Sequence, residues 1–389
     1  MDPPVRIAIA YDSLFPWSKG GGERQYRRFA EEFVAAGHDV TYLTRLQWDE
    51  PPSIEGIEVV AVSTDRELYD ANGVRTLGPA LRYAQGLVKH LRANRNRYDA
   101  VLVAALPTTN VLAVRAALVG TKTAVGVDWL EVWRPDQWRT YSGPLVGTVA
   151  SVLQWTAAKL SPVASCHSRM NAARLKASGL RSQPLVSPGL IDPQGDIEPN
   201  LSTTTPPNVV YVGRHIPDKR VEALPAAIAH ARKQIPDLTA TIFGEGAARA
   251  AVEAEINRLG LRDVIRTPGF VSQEELDQGI RTAAALVNPS QREGYGLVVV
   301  EAAAVGTPVV LANAEDNASV ELVENGVNGQ VAASVAPAEL GEAIVTVVNA
   351  GEPLRKSTHD WYMRVSRTNT IQAAARQILD RLVQAAALR

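Results

Sequence analysis

The sequence has 389 residues, 46% of them hydrophobic and 21% charged, with a formal net charge of −1. That length favours two domains over one core, and the near balance of charge argues against a nucleic-acid binder, which carries a basic excess or stripe. A single cysteine, Cys166, excludes an internal disulfide and a multi-cysteine zinc site and fits a reducing cytoplasm.

The start, Met1 to Arg6, runs straight into a strand without the charged and apolar regions of a signal peptide. Val5 to Ala10 reads as that strand. After Tyr11-Asp12-Ser13 and a Pro/Trp-containing loop come Lys19-Gly20-Gly21-Gly22. From Glu23 to Ala36 the apolar positions Tyr26, Phe29, Ala30, Phe33 and Val34 fall at helical spacing, Gly37 closes the helix, and His38 to Thr44 is the next strand. Strand, glycine loop, helix and strand make a Rossmann-type βαβ unit. The glycines lack the G-x-G-x-x-G spacing of a dinucleotide fingerprint, so they read either as a flexible turn or as a loop lying against a diphosphate.

The region Leu46 to Arg75 is polar around a strand at Ile57 to Val62 and shows no site. Pro79 to Arg92 reads as an amphipathic helix, Asp99 to Ala104 as a buried strand, Thr108 to Val119 as a helix and Thr121 to Val127 as a strand. At the carboxyl end of that last strand sits Asp128-Trp129-Leu130-Glu131-Val132-Trp133-Arg134, and strand carboxyl ends are where open α/β sheets hold ligands. Trp129, Trp133, Trp138 and Trp155 crowd this region, suited either to stacking on sugars or to plain packing. The weakly charged run Tyr141 to Leu160 contains Pro144, two glycines and Lys159; it is a poor transmembrane span and reads as a buried or surface-lying helix. Val163 to Ser168 is the last strand of this half, with His167 either a core histidine or one facing a cleft. Ser168 caps the helix Arg169 to Ala177. The Pro- and hydroxyl-rich stretch from Pro193 to Pro207 is the domain boundary.

In the second half Asn208 to Val212 is a buried strand followed by Gly213-Arg214, then His215 to Arg220 and a helix from Val221 to Gln234. Cations at a helix start oppose the dipole unless an anion sits between them, so Lys219 and Arg220 are either solvated or an anion grip. Leu238 to Phe243 is a strand, Gly244-Glu245-Gly246 turns it into the helix Ala247 to Leu259, and Val264 to Thr267 leads into Pro268-Gly269-Phe270-Val271. Ala283 to Asn288 is a buried strand stopped by Pro289. Arg292-Glu293-Gly294-Tyr295-Gly296-Leu297 then opens an apolar helix that carries Glu301 and ends at Gly306-Thr307-Pro308-Val309-Val310. A loop feeding a helix N-terminus suits an anion. Ala338 to Ala350 and Trp361 to Leu388 read as helical.

The string Glu293-Gly294-Tyr295-Gly296-Leu297-(x3)-Glu301-Ala302-(x3)-Gly306-Thr307-Pro308-Val309-Val310 resembles the donor-binding signature of the retaining nucleotide-sugar glycosyltransferases of family 4. The resemblance implies an α/β chain of the GT-B fold, two Rossmann-like domains facing across a cleft. Residues 1–192 would form the acceptor side, joined by a helix returning at about 365–389, and 207–364 the donor domain. It implies that Arg214 and Lys219 hold the donor's diphosphate, Glu301 its ribose hydroxyls and Glu293 the hydroxyls of its sugar. Gly21 and Gly22 would lie against the diphosphate, and Glu245, Gly294, Tyr295, Gly296 and Leu297 would complete the donor site. Many relatives carry a histidine where this chain has Gly126-Val127-Asp128, so Asp128 joins Glu293, Arg214 and Lys219 as a catalytic candidate, with Glu131 and His167 as alternatives. The segment around Asn317 lacks the double glycine many relatives have there.

There is no Asp-x-Asp, and the six histidines are scattered, so neither a metal nor a cofactor is expected. The expected reaction is retaining transfer of a hexose-type sugar from a nucleotide donor to a hydroxyl on a small molecule, glycan or lipid-linked acceptor. Nucleic acid is not an expected partner; a cytoplasmic location is expected, with peripheral membrane contact left open. A nucleotide-sugar epimerase or hydrolase, or a non-catalytic sugar-nucleotide binder, are the competing readings.

Overall fold

The computed structural model describes residues 4–18, 20–65, 68, 76–187, 189–192, 198–202 and 205–388. Lys19 of the glycine loop, and Pro193, Thr203 and Thr204 of the linker, lie outside the described residues. The chain divides into two compact units, Met1–Asp192 with Asn369–Arg389, and Pro193–Thr368.

The first unit contains β1 (Arg6–Ala10), α1 (Gly21–Ala35), β2 (Asp39–Arg45), β3 (Ile57–Ser63), α2 (Leu77–Ala93), β4 (Ala100–Ala104), α3 (Thr109–Ala117), β5 (Ala124–Trp129), α4 (Pro135–Ser142), α5 (Pro144–Lys159), β6 (Val163–Cys166), α6 (Arg169–Ala177) and β7 (Leu185–Val186). Its sheet has the order β3-β2-β1-β4-β5-β6-β7, and every pairing is parallel. Ile7 to Ala10 and Ala100 to Ala104 are buried without alternation, as a parallel sheet covered by helices on both faces requires. The order reverses between β1 and β4, which puts the loops after those strands at the switch point. β5 runs through Asp128 and Trp129, so Asp128 lies inside the strand rather than past its end.

The second unit contains β8 (Asn208–Val212), α7 (Leu224–Ala231), β9 (Thr239–Phe243), α8 (Arg249–Arg258), β10 (Ile265–Gly269), α9 (Gln273–Thr282), β11 (Ala285–Asn288), β12 (Arg292–Glu293), α10 (Leu297–Ala304), β13 (Val309–Ala312), β14 (Asp316–Asn317), β15 (Gly329–Ala332) and α11 (Pro337–Val365). Its six-stranded parallel sheet has the order β10-β9-β8-β11-β13-β15, and β12 pairs with β14 in a separate two-residue ribbon. Here the switch point falls between β8 and β11. The helix expected from Val221 starts later, because Arg220 adopts a left-handed conformation (φ 48°) and a short 3₁₀ turn precedes α7. α11 is kinked at Gly351, two residues before Pro353. Arg355 of α11 is buried, and its guanidinium donates to the carbonyls of Asn200, Arg281 and Ala283, tying the linker to the C-terminal end of α9 just before β11. Burial pulls its pKa down to about 10, which leaves it charged at neutral pH.

The final helix, α12 (Ile371–Ala387), returns to the first unit. The backbone N–H of Ile371 donates to Ile191 (2.8 Å), and Ile371, Ala374, Ile378 and Leu382 turn inward. Gly126 of β5 makes room for it: a Cβ there would lie 2.6 Å from Leu382 Cδ2. Among the described residues no helix is long and apolar enough to cross a membrane.

Candidate active site

The second unit's switch point brings together the loop after β8 and the loop after β11. The strands end at Val212 and Asn288, and the two loops are laced to one another. The Gln291 N–H donates to the Asp218 carbonyl (2.8 Å), and Arg292 pairs with the Asp218 carboxylate (3.1 Å). At the centre of this seam Lys219 Nζ lies 2.5 Å from Glu293 Oε1, with the two side chains 21% and 15% exposed. The same oxygen lies 3.0 Å from Ser290 Oγ and accepts from Asn288 Nδ2 (3.3 Å). Glu293 Oε2 takes no hydrogen bond among the described residues, which leaves it open to a ligand hydroxyl.

Arg214 stands at the mouth of the same loop. It is exposed, and its guanidinium has neither hydrogen bond nor ion pair among the described residues. Beneath it the Tyr211 hydroxyl donates to the Arg214 carbonyl (3.1 Å). Burial, followed by the nearby charge of Glu293, pushes that phenol far above its ordinary pKa, so it stays a neutral donor. Among the described residues the arrangement therefore offers an unpaired cation at Arg214, a cation at Lys219 shared with a carboxylate, and an unbonded carboxylate oxygen at Glu293.

Glycine conformation sets the path from Glu293 to α10. Gly296 caps the helix at φ 103°, and a Cβ there would strike Ser319 Cβ. The opposing turn is held by Asn317, which is buried: its Nδ2 donates to the Ser290 and Ala312 carbonyls (both 3.1 Å) and its Oδ1 accepts from the Ser319 N–H (3.1 Å). Asn317 thus does in this chain what a flexible double glycine would not, fixing the turn by side-chain bonds. Gly294, Tyr295 and Leu297 line the same half-buried loop. Glu301 is exposed on α10, one helix turn in, on the wet edge of an otherwise apolar helix.

Glu245 sits on the turn after β9. Its carboxylate is paired with Arg249 of α8, which also binds Glu253, and its carbonyl accepts from the His215 N–H (2.8 Å). That backbone bond, made possible by Gly244 and Gly246, holds the β9 turn against the β8 loop. His215 itself is buried, neither ring nitrogen is hydrogen-bonded among the described residues, and burial holds its pKa down.

In the first unit Gly21 and Gly22 open α1, where a Cβ on Gly22 would lie 2.7 Å from Tyr11 Oη. Asp128 is buried, and its carboxylate accepts from Tyr26 Oη (2.8 Å), Ser165 Oγ (2.5 Å), Gln25 Nε2 (3.2 Å) and His167 Nε2 (3.0 Å). Burial acts to raise its pKa, but His167, Ser165 and Tyr26 outweigh that and hold it below the usual carboxylate range. With three donors on Oδ2 and one on Oδ1, this buried anion anchors the first turns of α1. His167 is the other half of that anchor: it is buried and its Nδ1 meets Ser187 Oγ (2.9 Å). Glu131 receives the Trp133 indole N–H (2.8 Å).

Sequence reasoning missed Asn288, Ser290, Asn317, Ser319 and Tyr211, the groups that hold Glu293 and Arg214 in place. The spacing Asn317-x-Ser319, an Asx-type turn, was the readable signal. Among the described residues no group of three or more His, Cys, Asp or Glu side chains converges as a metal site would require.

Comparison with known proteins accounts for both halves of the chain. Residues 194–361 match the family "Glycosyl transferases group 1", and residues 20–189 match the "Glycosyl transferase 4-like domain". The chain is 27% identical over 402 residues to the glycogen synthase of Mycobacterium tuberculosis, covering 96% of this chain and 95% of that protein. Its fold is similar to that of sucrose-phosphate synthase from Thermosynechococcus elongatus, with a TM-score of 0.80 at 18% identity, covering 99% and 100% of the two chains. Anabaena HepE, solved with UDP and glucose, is similar with a TM-score of 0.72 at 18% identity, covering 97% and 99%. With each half matched by a glycosyl transferase family and each built on its own parallel sheet, the chain belongs to the family 4-like glycosyltransferases of the GT-B fold.

Proposed function

We propose that this enzyme transfers a hexose-type sugar, with retention of configuration, from a nucleoside-diphosphate donor to a hydroxyl acceptor, and that it does so in the cytoplasm without a metal ion. The observation that carries the reading is the Lys219–Glu293 pair at the switch point, with Arg214 and Glu293 Oε2 left open beside it. An arriving diphosphate competes with Glu293 for the Lys219 ammonium and takes Arg214 as a second cation. Glu293 then turns its carboxylate to hydroxyls of the donor sugar. Glu301 serves the ribose from the exposed face of α10.

The chemistry follows from charge. As the anomeric C–O bond to the phosphate breaks, negative charge grows on the departing oxygen, and preformed cations there lower the barrier more than they tighten the ground state. The acceptor oxygen bonds to the same face of the sugar, and its proton passes to the departing phosphate oxygen. No protein base is needed in that step, which accords with Asp128 being occupied. Uridine diphosphate sugars are the first donors to try, because the similar HepE structure contains UDP and glucose.

Calorimetric titration of UDP and UDP-glucose into wild type and Glu293→Gln tests the assignment. Glu293→Gln should keep its affinity for UDP and lose the preference for the sugar-bearing ligand. Equal loss for both ligands would remove Glu293 from the sugar subsite. Complete donor consumption without any acceptor would favour a hydrolase or epimerase instead.

A further inference from the structure

Helix α5 is built inside out. Its inner face carries Gly147, Gln154, Ala157 and Ala158, while Leu145, Val149, Val152 and Trp155 are 84%, 58%, 56% and 47% exposed. Their spacing of four, three and three residues makes one continuous stripe along the helix. A surface helix ordinarily turns such a stripe toward the core. This one cannot, because its orientation is fixed by built contacts: a Cβ on Gly147 would strike the Trp138 carbonyl of α4. Gln154 is also pinned, accepting from the Trp133 N–H (3.1 Å) and the Trp138 indole (3.1 Å) and donating to the Trp133 carbonyl (2.7 Å). A contiguous exposed apolar stripe marks an interaction surface.

Charge identifies the partner. Between Asp136 and Asp192 the sequence has no carboxylate side chain, yet it carries Arg139, Lys159, Arg169, Arg174, Lys176 and Arg181, in a chain whose net charge is −1. The Lys159 ammonium lies 3.4 Å from the centre of the Trp155 ring. Trp155 and Lys159 both lie against Gly179, between the exposed Lys176 and Arg181, so the apolar stripe ends in a basic patch. An apolar face, an indole at its rim and cations beside it match the layers of an anionic bilayer: acyl boundary, headgroup belt and phosphates. With 16 residues, about 24 Å long, α5 lies in that plane and does not span it. A second copy docked on the same face would bring cations against cations.

We propose that α5 seats the first unit on the surface of a membrane containing anionic phospholipid. The proposal is independent of the donor-site assignment. The test is co-sedimentation of the full chain with vesicles of phosphatidylcholine alone and of equal parts phosphatidylcholine and phosphatidylglycerol, at low and high salt. Wild type should pellet with the anionic vesicles only, and less at high salt. The exposed triple variant Leu145→Ser/Val149→Ser/Val152→Ser should stay in the supernatant, with an unchanged melting temperature and donor affinity. Lys176→Gln/Arg181→Gln should weaken binding by about fivefold per cation removed. Wild type that ignores both vesicles, a triple variant that binds like wild type, or a wild-type dimer in lipid-free solution that the triple variant abolishes would each overturn it, the last by showing that the face belongs to a second copy.

Discussion

Lys219→Met separates a structural ion pair from a catalytic one. The ammonium lies 2.5 Å from Glu293 Oε1, and neither side chain is more than 21% exposed. A hydrogen bond to a charged group contributes about 1.5–3 kcal/mol, and the remaining exposure discounts this to about 1–2 kcal/mol. Asn288 and Ser290 still contact the carboxylate, so the loop should survive. For a unit of this size the loss corresponds to a fall of about 3–6 °C in melting temperature. The kinetic loss should be larger: removing one fixed donor from a site of growing negative charge costs about 10²–10³ in turnover. The assay is release of nucleoside diphosphate from the donor, followed well below both melting temperatures, with Lys219→Arg as a partial rescue because it restores charge without the compact ammonium geometry. A Lys219→Met enzyme that melts lower yet turns over within about threefold of wild type would refute the argument and leave the pair purely structural.

The remaining predictions concern the anchor, the loop and metals. Asp128→Ala strips the partner from His167, Tyr26, Gln25 and Ser165, and should cost about 3–5 kcal/mol in chemical denaturation of the first unit; a loss under about 1 kcal/mol would contradict the anchoring role. Because the folded pKa of Asp128 is depressed, its contribution is fully present above the unfolded carboxylate value near 4 and is lost as pH falls through the lower folded value; wild type but not the variant should show this acid-side loss of stability. Gly296→Ala places a Cβ against Ser319 at a left-handed φ, with about 1–3 kcal/mol of strain, so donor affinity should fall measurably; unchanged affinity would show that the loop does not hold donor. Exhaustive chelation by EDTA should leave donor binding and turnover unchanged, and recovery of activity by an added divalent ion would disprove metal independence.

The strands were the most readable part of the sequence. Unbroken apolar runs such as Ala100 to Ala104 have few alternatives to a buried parallel strand, and Gly37, Gly179 and Gly260 mark helix ends by their need for positive φ. The signature around Glu293 singled out its loop, but the partnership of Lys219 with Glu293 spans 74 positions and depends on β8 and β11 lying side by side. The hydrogen-bond partners of Asp128 were hidden for the same reason. Its local context shows a strand end, whereas its partners come from α1, β6 and His167 just beyond β6, and the parallel register sets Asp128 opposite Ser165. Asn288, Ser290 and Asn317 look like ordinary turn residues until the turns are seen to face each other. The stretch from Pro144 to Lys159 has no polar stripe, so nothing in its periodicity says which side is wet; Gly147 and Gln154 decide it through contacts with α4.

The most direct measurement of the central claim is a thermal-shift panel of UDP-, GDP-, ADP- and dTDP-sugars on wild type and on Arg214→Gln/Lys219→Met. A ligand at about one hundred times its dissociation constant stabilises the native state by about 2.7 kcal/mol, which for units of this size is a rise of about 5–10 °C. One nucleotide sugar, first of all UDP-glucose, should produce that rise in wild type and fail to do so in the double variant. No shift with any donor, or the same shift in both proteins, would contradict a diphosphate site at Arg214 and Lys219.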